Sequence, residues 1–173
     1  MHPLYQFKYC PKCGSDHFIE NNFKSKRCKK CGFVYYFNPS SSNIALILNK
    51  SKELLVATRA HDPAKGTLDL PGGFVDMNET GEEAVIREVK EETNLNVKNT
   101  KYLFSIPNTY VYSGFEVHTL DLVYLCEVDN IDHMKAEDDV SYLQFTKISD
   151  LDPDLFGLIS VKEVIRKIQK MKI

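Results

Sequence analysis

The stretch GGFVDMNETGEEAVIREVKEETNL, residues 72–95, places seven carboxylates (Asp76, Glu79, Glu82, Glu83, Glu88, Glu91, Glu92) against two cations, Arg87 and Lys90. Thr80 and Glu83 have the T-x-x-E spacing of a capping box, and Asn94 suits a left-handed C-terminal cap, so a helix is predicted from about Gly81 to Thr93. At about 100° per residue, Glu88, Glu91 and Glu92 share an arc of roughly 100°. Val85, Ile86, Val89 and Thr93 lie on the opposite side and are expected to face a core. Such a segment needs apolar packing along one face and relief of charge repulsion along the other.

A solvated acidic surface is the bland account of the charged face, and repulsion argues against it because the acids could be spread at no cost. A hard divalent cation removes the repulsion, since Mg²⁺ takes carboxylate oxygens and keeps several waters. Directly ahead, Pro71-Gly72-Gly73 reads as a tight turn. Its glycines also permit close approach to a ligand, and a carbonyl there is a candidate further metal ligand.

Around this segment the sequence predicts a layered domain with a small N-terminal module. IALILN (44–49) and LLVATRA (54–60) read as buried strands joined as a hairpin, and NPSSSN (38–43) as a linker. KYLFSIP, TYVY and VHTLDLVYLCEV are strand-like. EDDVSYLQFTKISDL reads as a loop, a short strand and a turn. In the tail, Val161, Val164, Ile165 and Ile168 share one face of a final helix. Strands combined with two helices indicate an α/β or α+β class. The domains expected are therefore 1–37, a linker at 38–43, and 44–173.

Gly73, five residues, Glu79, seven residues, Arg87-Glu88-Val89-Lys90-Glu91-Glu92 and then Leu95 closely resemble the signature box of the Nudix hydrolases. Six fixed matches arise by chance on the order of 10⁻⁸ times per start position. The pattern departs at one point, Asn94 standing where the family has Gly; Asn tolerates the left-handed conformation. The resemblance implies an α/β Nudix sandwich (α/β/α layers, mixed sheet) and hydrolysis of a nucleoside diphosphate linked to another moiety. It further implies that Glu88, Glu91 and Glu92 hold Mg²⁺ or Mn²⁺ with help from Gly72-Gly73, that Arg87 orients the glutamates, and that Glu79 supports the loop and helix start. Arg59 reads either as a phosphate contact or as a strand-end surface residue. For the general base, a box glutamate and the loop acids Glu137, Asp138 and Asp139 both stay open.

Cys10-x₂-Cys13 and Cys28-x₂-Cys31 supply four thiolates for a tetrahedral, structural Zn²⁺, so residues 1–37 are expected to be a zinc ribbon. Cys126, within LDLVYLCEV, reads as a buried core thiol. Lys24, Lys26, Arg27, Lys29 and Lys30 are interleaved with Phe23, Phe33, Tyr35 and Tyr36, a pattern compatible with single-stranded nucleic acid, although simple solubility is the favoured reading. A ribbon ahead of a Nudix domain is similar to the order in NADH pyrophosphatases. Those enzymes carry S-Q-P-W-P-F-P after the box, where this chain has SIPNTY (105–110) and no Trp anywhere. An ADP-ribose-like substrate is therefore expected ahead of NADH, with a dinucleotide pyrophosphatase as the alternative. Tyr110 and Tyr112 lie where some dinucleoside-polyphosphate hydrolases place a tyrosine. A non-catalytic nucleotide- or RNA-binding module predicts loss of a metal glutamate, and none is lost. The net charge of −2 does not call for a nucleic-acid or membrane partner. No apolar run reaches the roughly 20 residues of a membrane span, and MHPLYQFKYC lacks a secretory h-region. A cytoplasmic protein is expected, and a homodimer is left open.

Overall fold

The computed structural model describes residues 1–171. They form two compact units, Met1–Pro39 and Ser40 onward. No described helix is long and apolar enough to cross a membrane.

The first unit is a three-stranded antiparallel sheet of β1 (Phe18–Asn22), β2 (Ser25–Cys28) and β3 (Val34–Tyr36), in that order. Its apolar cluster is small: Cys10, Phe18 and Cys28, with Phe33 packed against them. The two Cys-x₂-Cys turns are built alike. Gly14 N–H donates to the Cys10 carbonyl and Gly32 N–H to the Cys28 carbonyl, while Cys10 and Cys28 N–H donate to Ser15 and Phe33 carbonyls.

The second unit contains β4 (Ser40–Ile47), β5 (Glu53–Arg59), β6 (Leu68–Asp69), α1 (Gly81–Thr93), β7 (Val97–Tyr112), β8 (Phe115–Val128), β9 (Val140–Lys147) and α2 (Ile159–Ile168). One sheet has the order β4-β8-β7, with β4 parallel and β7 antiparallel to β8; the other has the antiparallel order β6-β5-β9. Strand alternation divides the interior into two layers. Ile44, Leu46, Leu54 and Val56 join Val161, Val164, Ile165 and Ile168 of α2. Ala45, Ile47, Leu55 and Ala57 join Val85 and Val89 of α1. Burial on both faces explains why IALI and LLVA are continuously apolar rather than alternating.

Two sequence expectations are corrected and a third is extended. Residues 44–49 and 54–60 are not a hairpin, for β4 pairs with β8 and β5 with β6 and β9. A single bridge, Leu48↔Leu54, joins the two runs, beside a turn whose Asn49 Oδ1 accepts from Ser51 and Glu53 N–H at 2.9 Å. Ser40–Asn43, read as linker, are the first half of β4, because backbone pairing to Thr119–Leu122 compensates for their polar side chains. KYLFSIP and TYVY are one strand, β7, and the turn to β8 is the pair Ser113-Gly114, both at positive φ.

Helix α1 has the predicted limits. Thr80 Oγ1 accepts from Glu83 N–H, the Glu83 carboxylate accepts from Thr80 N–H, and Asn94 closes the helix in the left-handed region at φ 57°. Val85, Val89 and Thr93 are buried as expected, but Ile86 is 41% exposed and Glu92 takes a place on the buried side.

Candidate active site

Three acids of this segment, Glu79, Glu88 and Glu91, converge on one guanidinium. Arg87 Nε and Nη2 donate to both oxygens of Glu79 at 2.9 Å, Nη1 to Glu88 at 2.8 Å and to Glu91 at 2.9 Å, and Nη2 to the Phe74 carbonyl at 3.0 Å. Glu79 also accepts from Asp76 N–H at 3.0 Å, which ties the loop to the helix. Planar, five-donor geometry allows one Arg to satisfy this many acceptors, where Lys could not. Hydrogen bonding to Arg87 and Asp76 holds the Glu79 carboxyl below its ordinary range.

Two glycines bring the loop onto the helix. Gly72 has φ 145°, and a side chain there would press into the Asn43 carbonyl. Its N–H donates to Glu92 Oε2 at 2.9 Å. A Cβ on Gly73 would fall 2.6 Å from the Glu88 carboxylate, so only glycine lets that carboxylate lie against the backbone. The Gly73 carbonyl accepts from Asn43 N–H at 2.8 Å.

Glu92 is 7% exposed. Burial, reinforced by the charges of Asp69, Glu88 and Asp139, pushes its carboxyl up to about 9 against the opposing Gly72 hydrogen bond. Burial likewise raises Glu88, although Arg87 opposes it. Among the described residues, the one group of three or more potential ligands with atoms within 4.8 Å of one another is the cysteine set, so the box glutamates are not drawn together to that distance. Their donor set still fits a hard cation. It consists of carboxylate oxygens whose mutual repulsion is uncompensated at Glu92, and Mg²⁺ needs only one or two carboxylates beside its waters.

A cavity of about 420 Å³ adjoins this loop, lined by Gly72, Gly73 and Glu92 and also by Arg59, Asp69 and Asp139. Arg59 is not a surface residue: Nη1 pairs with Asp69, and Nε donates to the Pro63 carbonyl at 2.7 Å. Burial raises the Asp69 carboxyl despite this pair. Of the three loop acids, Asp139 lines the cavity, whereas Glu137 pairs with Lys135. The loop is held there by the end of α1, where Lys135 and Glu137 N–H donate to the Thr93 and Glu92 carbonyls. Tyr110 and Tyr112 also line the cavity.

A Nudix domain matches residues 39–167, three-quarters of the chain. The chain is a member of the Nudix hydrolase family. Its 130-residue match to an ADP-ribose pyrophosphatase of Methanocaldococcus jannaschii is 36% identical and covers 74% of this chain and 72% of that one. A 137-residue match to the NAD-capped RNA hydrolase NudC of Chromobacterium violaceum is 31% identical and covers 79% of this chain but 49% of that one. This chain thus spans about half the length of that relative. A NUDIX hydrolase structure from Nitrosomonas europaea superimposes with a TM-score of 0.72 at 18% identity, over 94% of this chain and 91% of that one, a likeness of fold.

The Nudix box does not reveal the rest of the cavity. Asn43, Asp69, Asn108, Thr119 and Asp121 line it and are all buried, and sequence reasoning passed over them as site residues. A signal existed for two: Asp69 and Asp121 interrupt apolar strands, in TLDLPG and HTLDLVY, where a charge is unexpected without a task.

The four cysteines fit zinc by a separate geometric test. Cys10 and Cys31 sulfurs are 3.7 Å apart, as are those of Cys13 and Cys28. A tetrahedron with Zn–S bonds of about 2.3 Å has edges of about 3.8 Å. Backbone N–H groups of Cys31 and Lys30 bring the Cys28 thiol down to about 6. At Cys13 the Ser15 amide lowers the thiol, but the neighbouring sulfurs and burial outweigh it and push it up to about 12. Four thiolates this close need a cation. Of the ribbon's basic residues, Lys26 is turned inward, donating to the Phe7 carbonyl at 2.6 Å.

Proposed function

We propose that this Nudix enzyme hydrolyses the pyrophosphate of a nucleoside diphosphate linked to another moiety, with Mg²⁺ or Mn²⁺, and that it prefers an ADP-ribose-like substrate to NADH. The observation that carries this reading is the junction of the arginine-bound box with the cavity: Glu92 and Gly72 belong to both.

In this reading Glu88, Glu91 and Glu92 would hold the divalent cation, which would supply charge to offset the phosphates and to acidify water. Glu92, buried and beside the other acids, ionises when a cation is present to favour its charged form. Arg87 positions Glu88 and Glu91, and Glu79 in turn positions Arg87; neither needs to touch substrate. Arg59, fixed by Asp69 and Pro63, presents positive charge to the diphosphate inside the cavity. Asp139 is the loop acid best placed to take a proton from the attacking water, since it lines the cavity and Glu137 is paired elsewhere. Displacement at phosphorus then depends on positioning and electrostatics rather than on a covalent nucleophile.

The preference rests on the segment after the box, where Asn108 stands at the place of the aromatic in S-Q-P-W. Loss of a stacking ring removes roughly 1–3 kcal/mol per base. The M. jannaschii relative is an ADP-ribose pyrophosphatase, which supports the same choice. Rates with ADP-ribose, NADH, dinucleoside polyphosphates, nucleotide sugars and nucleoside triphosphates, with each metal, test it. A kcat/KM for NADH about tenfold above every other candidate refutes the preference, and no turnover of any of them refutes the activity.

A further inference from the structure

Hydrogen-bonding capacity is left over in the cavity wall formed by the β4-β8-β7 sheet. On the face toward α2, Phe104 and Ile106 of β7 and Val123 of β8 belong to the core. Two residues further on, the same face turns polar, at Asn108 on β7 and at Asp121 and Thr119 on β8. Asn108 stands opposite Thr119 in the β7–β8 register, and Ser42 opposite Asp121 in the β4–β8 register. Asn108, Thr119 and Asp121 are each 4% exposed, and all of them line the cavity.

Acceptors predominate in this floor. Asp121 Oδ1 accepts from both Thr119 Oγ1, at 2.5 Å, and Ser42 Oγ, so both hydroxyl protons point at the aspartate. Asn108 Oδ1 has no hydrogen-bond partner, and neither does either side-chain amide atom of Asn43, which is 2% exposed and lines the same cavity. Buried polar atoms are almost always paired, so orphans on residues that line a cavity mark a place where a ligand, or a water the ligand displaces, completes the set after a small side-chain adjustment. A carboxylate and an amide oxygen repel phosphate and accept from O–H or N–H groups. Arg59, by contrast, offers positive charge within the same cavity.

We infer that Asn108, Thr119 and Asp121 form the specificity-determining floor of the cavity, which receives a neutral, hydrogen-bond-donating part of the substrate: a sugar hydroxyl or the exocyclic amine of the base. The diphosphate then lies toward Arg59 and the Gly72-Gly73 turn, and Tyr110 supplies an apolar wall. This rests on the reading of the cavity as a nucleoside-diphosphate site, and it adds which end of the ligand goes where.

Binding and turnover are measured separately. Affinities of the whole 173-residue chain for ADP-ribose, its inosine analogue, its 2′-deoxyadenosine analogue and ADP distinguish amine, nucleoside hydroxyl and distal sugar. One of the three altered ligands should bind at least about tenfold more weakly than ADP-ribose, the cost of leaving a buried acceptor unpaired. Asn108→Leu should reduce that discrimination to about twofold or less while leaving the melting temperature unchanged or raised, because it removes an unsatisfied buried oxygen. Thr119→Val, closer in shape, should weaken the same discrimination. The inference is overturned if ADP-ribose does not bind, if all four ligands bind alike, or if discrimination survives intact in both variants. Selective binding without hydrolysis under Mg²⁺ or Mn²⁺ supports the floor and sinks the proposed activity alone; hydrolysis without selectivity does the reverse.

Discussion

At the scale of single residues, Glu92 is where burial and function conflict most. Its carboxyl is pushed up to about 9 by burial and by neighbouring acids, from an ordinary value of 4.5. The folded state therefore holds a proton that the unfolded state releases. Stability from this group is full below about pH 4.5 and is lost as pH rises toward about 9. Thermal melts in buffer free of divalent cations should fall through that window, with a flatter slope for Glu92→Gln. Added Mg²⁺ should restore stability at the alkaline end, because a bound cation favours the ionised form. If the slope is the same in Glu92→Gln, the titrating group lies elsewhere. The same substitution removes the charge proposed to hold the cation, so turnover on the best substrate should drop by at least roughly 10². Rates near those of the unaltered enzyme would remove the helix from the catalytic assignment. Arg87→Lys tests the positioning role, since an ammonium cannot span Glu79, Glu88, Glu91 and the Phe74 carbonyl together. It should raise the Mg²⁺ concentration needed for half-maximal rate more than it raises KM for substrate.

At the scale of elements, α1 was legible because its signals are local. The capping box, the Asn94 cap and the 3.6-residue periodicity all lie inside residues 80–94, and the helix begins and ends where they place it. The pairing of β4 was not legible. A doubly buried strand carries no alternation to mark its partner, and the parallel ladder to β8 joins residues more than 70 positions apart. The same non-local pairing hid the cavity floor, since Asn108, Thr119 and Ser42 become neighbours only through two ladders. Ile86 shows a smaller failure: helical angle placed it with Val85, but it lies at the margin of the buried arc, and the structure leaves it 41% exposed. The connection most sensitive to a single atom is the turn before α1. Gly72→Ala adds a methyl at φ 145° against the Asn43 backbone. It should destabilise the domain by more than about 1 kcal/mol, measured by denaturant unfolding. Because Gly72 N–H also holds Glu92, the rate should fall further than the loss of folded protein explains.

At the scale of the whole molecule, the chain carries separate interiors of very different size. The unit Met1–Pro39 has four buried apolar residues: Leu4, Phe18 and two of the four clustered cysteines, Cys10 and Cys28. The other unit has two layers of aliphatic core, one beneath each helix. A segment below about 40 residues usually needs a metal or disulfides to fold, and all five cysteines here are free thiols. The 3.7 Å sulfur spacings fit the alternative, a metal whose binding free energy would also be folding free energy. The aliphatic layers are built from residues of the second unit, and Mg²⁺ and nucleotide should act on the box and its cavity alone. Purified protein kept reduced should therefore contain about one Zn²⁺ per chain, and calorimetry should resolve two transitions. A zinc-selective chelator should abolish the smaller transition and leave the larger in place. Mg²⁺ with ADP-ribose should shift only the larger one upward, by the mass action of a ligand that binds the folded domain. A single transition that disappears as a whole on zinc removal would show that the cysteine cluster sustains the hydrolase core, and elemental analysis finding neither zinc nor iron would remove the ribbon's metal altogether.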